Sequence, residues 1–315
     1  MMSQPSPSSK LLSDPLRLPL ERLVSDYYGL PWRVGDFNDM DAYASHPAAV
    51  LSDGDLAVFA KLSQAPNGLD QLEVELAGLR LLADRAGVLV PDPIGIVTVE
   101  GGASFSGATA EGGVILVLEA VQAVERGPRQ WREIGQSLAR IHRVRGEYFG
   151  LETQGYFGPL YQDNRPLPDW PTFFAERRLW PRLMGAVDSG NLPSAAIRQV
   201  ERLIARLPRL GLPDAVPCLL HGDAQQNNFI STAAGAVVID PAVYYGSPEI
   251  DLAHLDYFEP VPEDVFLGYR GELPIAPGFA GRRALWRIPT HLGIIAVGGG
   301  PAYLSLLNQA VSQYL

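Results

Sequence analysis

The segment His221-Gly222-Asp223-Ala224-Gln225-Gln226-Asn227-Asn228 is a polar loop between two apolar runs, Pro217 to Leu220 and Phe229-Ile230. A further apolar run, Ala236 to Ile239, ends on Asp240-Pro241. Two carboxylates and an amide therefore sit at the ends of short apolar segments. This donor set suits phosphoryl transfer, which needs a group to orient the attacking hydroxyl and oxygen ligands for magnesium. Asp223 fits the first role. Asn228 and Asp240 fit the second, because magnesium prefers a few hard oxygen donors and leaves positions for substrate phosphates.

The elements that must hold these groups follow from pattern. The apolar runs around the loop are too short for helices and read as strands. Ser231-Thr232-Ala233-Ala234-Gly235 is small and polar, as a hairpin connection should be. The chain has 315 residues and is 47% hydrophobic, enough for a large core in two lobes. Its net charge is −10, with 25 basic and 35 acidic residues and no basic stripe, which argues against nucleic acid as a partner. The single cysteine, Cys218, excludes an internal disulfide, and its apolar neighbours predict a packed thiol. The Ser- and Pro-rich start does not read as a signal peptide, and no apolar run approaches the ~20 residues that span a membrane. A cytoplasmic, monomeric protein acting on a small molecule is the expectation.

Residues 1–13 read as a disordered leader. Ser13-Asp14-Pro15 can start a helix bearing Leu16, Leu20, Leu23, Val24 and Tyr27 at helical spacing, stopped by Gly29-Leu30-Pro31. Residues 32–37 read as a first strand. Residues 48–51 and 56–62 flank the turn Ser52-Asp53-Gly54-Asp55 as a hairpin. A helix over Asp70 to Leu82 presents Leu72, Leu76, Leu79 and Leu82 on one face, with Glu75 beside it. Strands follow at 94–99 and 113–118, joined by a stretch, 100–112, expected to be mobile. Helical spacing marks Trp131 to His142, Ser194 to Leu207 and a segment beginning near Val261. Two more apolar segments follow around Gly298-Gly299-Gly300-Pro301. His46, Asp39 and Asp41 match no metal-ligand spacing and are expected to form a solvated loop.

His-Gly-Asp-x-x-x-x-Asn followed by Ile239-Asp240-Pro241 resembles the catalytic and metal loops of the aminoglycoside phosphotransferase and protein-kinase-like superfamily. The continuation Ala242-Val243-Tyr244-Tyr245-Gly246-Ser247-Pro248-Glu249-Ile250-Asp251-Leu252-Ala253 resembles the fructosamine (ketosamine) kinase family more specifically, as does the Gly- and aromatic-rich stretch from Phe149 to Leu179. The resemblance implies an α+β, bilobal fold. A small antiparallel-sheet lobe, 14–119, would stand over a larger, mostly helical lobe, 120–315, with ATP and Mg2+ between them. Lys61, closing the apolar strand Val58-Phe59-Ala60, matches the phosphate-binding lysine. Glu75 matches its acidic partner, while Glu73 is expected to be solvated. Glu119 and Val121 match the hinge that contacts adenine through its backbone. His221 would order the loop, Asp251 would support it through backbone hydrogen bonds, and His142 would be a packed structural residue.

The implied acceptor is a sugar hydroxyl of a ketosamine, such as a glycated amine or lysine. Tyr156, Asn164, Trp170 and Gln225 are the candidate acceptor contacts. Two departures from the family stand out. No glycine follows Gly35 in the loop expected to cover the phosphates, and Ala224-Gln225 replaces the family's usual Leu-Trp after the catalytic aspartate. Loss of that aromatic reshapes the acceptor pocket and leaves open an aminoglycoside or another amino sugar. A nucleotide-binding protein without turnover is the remaining alternative.

Overall fold

The structure, a computed structural model, describes residues 6–42, 44, 46–101 and 112–315. The first helix, α1 (Asp14–Tyr28), buries Leu16, Leu20 and Val24 and ends where Gly29 turns left-handed at φ 68°. Then come β1 (Asp36–Asp39), β2 (Ala48–Asp53), β3 (Leu56–Ser63), α2 (Gly68–Ala86), β4 (Pro93–Val99) and β5 (Gly113–Glu119). The strands form one antiparallel sheet in the order β1-β2-β3-β5-β4. The first strand starts later than its expected range of 32–37, because Trp32 is wholly buried in the core beneath the sheet.

Period-2 alternation divides this small lobe into two cores. Val58, Ala60 and Leu62 of β3, with Ile115 and Val117 of β5, pack with α1. Val114, Leu116 and Leu118 face the other way, onto Leu72, Leu76 and Leu79 of α2. Lys61 lies between two residues of the first set and so projects on the α2 side, towards the cleft.

The disordered leader is corrected from residue 7 onward. Pro7–Leu12 forms a 3-10 turn, and Leu11 is fully buried against the sheet. One apolar side chain and the Asp41 carboxylate, which accepts the Ser8 N–H at 3.0 Å, hold it there. The stretch expected to be mobile lies largely outside the described residues.

After the hinge come α3 (Pro128–Arg143), the hairpin β6 (Gly155–Phe157) and β7 (Leu160–Gln162), α4 (Trp170–Phe173), a π-helical turn at Phe174–Leu179, α5 (Trp180–Asp188) and α6 (Ser194–Arg206). The reaction loops lie among β8 (Cys218–Leu220), β9 (Phe229–Thr232), β10 (Gly235–Val238) and β11 (Tyr244–Gly246). Helices α7 (Glu249–His254), α8 (Glu263–Arg270), α9 (Phe279–Ala296) and α10 (Pro301–Ser312) complete the lobe. β9 and β10 form the expected hairpin, and β8 pairs with β11. Helices α3 and α8 cross on two glycines. A Cβ on Gly135 would lie 1.9 Å from the Val265 carbonyl oxygen, and one on Gly268 would lie 2.1 Å from that of Arg132. The expected α+β bilobal, protein-kinase-like architecture is the one observed. Among the described residues, no helix is long and apolar enough to cross a membrane.

Candidate active site

Lys61 is the centre of the cleft. Its Nζ lies 2.6 Å from Glu75 Oε1 of α2 and 2.6 Å from Asp240 Oδ1 beyond β10. The lysine is buried, and both carboxylates keep it charged against the cost of burial. Burial also opposes ionisation of Asp240, but the Lys61 ammonium outweighs it and holds this carboxyl below its usual range. Burial raises Glu75, which shares its cation with a second acid. Asp240 is the one non-glycine residue with positive φ, 52°, among those described. This backbone position is strained for an aspartate, and such strain gathers at functional sites.

Asp223 lies partly buried in the same cavity. Desolvation raises its carboxyl to about 7, and the Asp240 charge pushes in the same direction. Its loop is held from three sides. The Asp251 carboxylate, fully buried on α7, accepts the His221 N–H at 2.7 Å and the Gly222 N–H at 3.0 Å. His142 Nε2 lies 3.1 Å from the same carboxylate, and its Nδ1 lies 2.9 Å from the Tyr269 hydroxyl. The His221 ring joins the two reaction loops. Nδ1 accepts the Asp223 N–H at 3.2 Å, so Nε2 carries the proton donated to the Ile239 carbonyl at 2.9 Å. Finally, Asn228 Nδ2 donates to the Asp223 carbonyl at 2.8 Å. Gly222 is irreplaceable on geometry: φ is 83°, and a Cβ would lie 2.0 Å from the Ala242 carbonyl oxygen.

Two cavities meet here. The inner one is lined by Lys61, Glu75, Tyr156, Asp223, Gln225, Asn228 and Asp240, among others. The outer one, about 830 Å³, runs under the hinge between Val50, Phe59, Leu118 and Ile239, with Glu119 and Val121 at its edge. It is large enough for a nucleoside and mostly apolar, as such sites are. Gln225 and Asp240 line both.

The folding of the chain thus collects Lys61, Glu75, Asp223, Gln225, Asn228, Asp240 and Tyr156 around one cavity. Tyr156 also donates to Asp70 Oδ2 at 2.5 Å. Two candidate acceptor contacts are corrected. Trp170 is buried in an aromatic cluster with Phe149, Phe173, Phe174 and Trp286. Asn164 is fully buried, donates to the Thr153 carbonyl at 3.2 Å and accepts from Arg178 at 2.7 Å. Both sit where the aromatic segment packs inward, so neither can meet an acceptor in the cleft.

Sequence reasoning missed three residues. His46, expected in a solvated loop, lines the inner cavity, with Nε2 3.1 Å from Gln71 Oε1. Asp41, from the same loop, accepts the Ala48 N–H at 2.9 Å. Arg126, just past the hinge, donates to the carbonyls of Gln226 and Phe229 and so ties the hinge to the reaction loop. Arg126 had no local signal, because its partners lie about a hundred residues away.

Among the described residues, no three or more His, Cys, Asp or Glu side chains are grouped to hold a metal. Asp240, Asn228 and Asp223 offer oxygen ligands to the cavity. That set fits magnesium shared with phosphates and does not fit a metal caged by protein alone.

Comparison with known proteins agrees with this geometry. A probable ketoamine kinase of Synechocystis is 31% identical over 295 residues, covering 93% of this chain and 94% of that one. A ketosamine-3-kinase of Mus musculus is 28% identical over 250 residues, covering 75% and 81%. A crystal structure of a provisionally named fructosamine-3-kinase from Thermobifida fusca superposes with a TM-score of 0.77 at 28% identity, covering 93% and 98%. The fructosamine kinase family model matches residues 20–315, and the chain accordingly belongs to the fructosamine kinase family of phosphotransferases, which act on a hydroxyl.

Proposed function

We propose that the protein transfers the γ-phosphoryl group of ATP to a sugar hydroxyl of a ketosamine, a glycated amine or amino acid. The observation that carries this reading is the Lys61 bridge between Glu75 and Asp240, at the point where the two cavities meet. Lys61 is presented there to nucleotide phosphates, with Glu75 fixing its direction. The hinge around Glu119 and Val121 offers backbone groups to adenine. Asn228 and Asp240 would hold magnesium, which supplies charge neutralisation on the phosphates when bound.

Asp223 orients the acceptor hydroxyl and receives its proton. Phosphoryl transfer proceeds through a loose transition state, so positioning counts for more than basicity. A carboxyl held near 7 nevertheless takes a proton more readily than an ordinary aspartate does. His221, Asp251 and Asn228 keep this group in place through the backbone.

One observation favours a second acceptor, another amine-bearing sugar. Gln225, where the family usually has an aromatic, gives the cavity a polar amide wall in place of a stacking surface. The deciding experiment is magnesium-dependent ADP release with fructosyl-lysine and other ketosamines beside aminoglycosides and simple amino sugars. Turnover on a ketosamine, lost in Asp223→Asn, supports the reading. Turnover on the other acceptors alone overturns the substrate while leaving the mechanism.

A further inference from the structure

Beside the loop that carries Asp223 lies a small, partly open cavity of about 30 Å³, lined among others by Phe157, Arg178, Arg182, Gly222, His254 and Thr290. Gly222 directly precedes Asp223. The β6–β7 hairpin borders both this space and the inner cavity: Phe157 and Gln162 line the first, Tyr156 and Gly158 the second.

Its polar groups are under-used. Arg178 is 5% exposed; its guanidinium donates to the Asn164 side chain and to the Asp163 and Arg177 carbonyls, and the Tyr244 oxygen and the Asp163 carboxylate also attract it, but no carboxylate oxygen accepts a hydrogen bond from it. Its Nε has no partner. The guanidinium also lies 3.8 Å from the centre of the Tyr244 ring. Arg182 makes no hydrogen bond or ion pair among the described residues, and its guanidinium carbon lies 5.5 Å from the Phe157 ring centre. His254 is 5% exposed; its Nε2 is 2.7 Å from the Thr290 hydroxyl, and its Nδ1 has no partner. No carboxylate lines the space.

The buried Arg178 guanidinium and His254 ring, with the half-buried Arg182 beside them and no carboxylate on the cavity wall, are costly to keep there unless something pairs them. Arg178 belongs to the π-helical turn at 174–179, a distortion often found where a side chain must be aimed at a function. The space admits one or two water-sized groups. With the Thr290 hydroxyl donating to Nε2, the His254 Nδ1–H is a third donor for an anion.

We infer that this cavity is an anion subsite of the acceptor pocket, taking a carboxylate carried by the molecule whose hydroxyl Asp223 orients. The inference rests on the proposed function and narrows it to acceptors with a free carboxylate, such as glycated free amino acids. Planar, forked guanidiniums suit that group.

The test pairs two acceptors that differ only in charge, fructosyl-glycine and fructosyl-glycinamide, with the wild type, Arg182→Met and Arg182→Lys. The wild type is expected to favour the carboxylate by about tenfold or more in kcat/KM, the scale of one charge-assisted hydrogen bond. In Arg182→Met this ratio should fall to near one, and Arg182→Lys should recover part of it. A second arm follows thermal unfolding of the full chain with sodium formate. The expected result is a formate-dependent rise in Tm that Arg182→Met removes. Equal kcat/KM for the two acceptors in the wild type would overturn the acceptor assignment, even if free formate binds. A formate response indifferent to Arg182 would overturn the anion site. Should neither acceptor turn over, the ketosamine reading fails by itself and the formate arm alone decides the site.

Discussion

The Asp251 carboxylate and the His221 backbone N–H, thirty residues apart in sequence, meet at 2.7 Å in the buried interior. The other Asp251 oxygen takes the next N–H, from Gly222, at 3.0 Å. One side chain thus fixes the backbone that presents Asp223. In Asp251→Asn, one oxygen becomes an NH2 facing a donor. Loss of about 1–3 kcal/mol is expected in a urea melt, the cost of a buried unsatisfied group. kcat should fall with it, while nucleotide affinity holds.

The pH dependence has a worked sign. Burial raises Asp223 to about 7 in the folded chain, against the usual aspartate range in the unfolded one. A group that must be ionised to receive a proton gives a kcat/KM that rises as pH passes through about 7. For stability, the folded state binds more protons across that window, so the Asp223 contribution is lost as pH rises. Asp223→Asn removes the burden. At pH 8 it should unfold later than wild type by roughly 1–2 kcal/mol, a figure reduced for the partial exposure of the group. Below the unfolded aspartate range the two should coincide. Its kcat should drop by about 10²–10⁴.

Lys61 pairs two acids in the cleft and, in the proposed reaction, also holds the phosphates. Lys61→Met leaves Glu75 and Asp240 facing each other without a cation, and a loss of about 3–5 kcal/mol is expected. Adding Glu75→Gln should return much of that stability, read by denaturant titration, but not the activity. The phosphates would still lack their cation, at a cost of about 10²–10³ in kcat.

Gly222→Ala tests the loop backbone. Its Cβ would meet the Ala242 carbonyl oxygen at 2.0 Å with φ at 83°, so the loop must shift. Catalysis should fall steeply, while nucleotide binding, measured by calorimetry, should survive because the hinge is untouched.

Trp170→Phe separates packing from recognition. The indole belongs to the aromatic core, so about 1–3 kcal/mol of stability should go. Acceptor KM should stay within about twofold. A large KM change would return Trp170 to the acceptor site.

Much was legible from local order alone. The polar loop from His221 to Asn228, the hairpin after it and Asp240 behind it are close in sequence. Their types already suit the proposed hydroxyl-orienting acid and oxygen ligands for a metal. The helix bearing Glu75 and the strand bearing Lys61 were legible because 3.6- and 2-residue periods state which side of each element is apolar. Those periods do not state which of the remaining polar groups will meet. Only the tertiary structure decided that Lys61 bridges Glu75 and Asp240, the latter 179 positions away. The closed fold likewise decided that Leu11 anchors the leader, that Trp170 and Asn164 turn inward, and that Arg178 and Arg182 share a cavity with His254. An aromatic or a guanidinium has the same local signature whether it packs, pairs or waits for a ligand. Burial and partners, set by distant segments, make the difference.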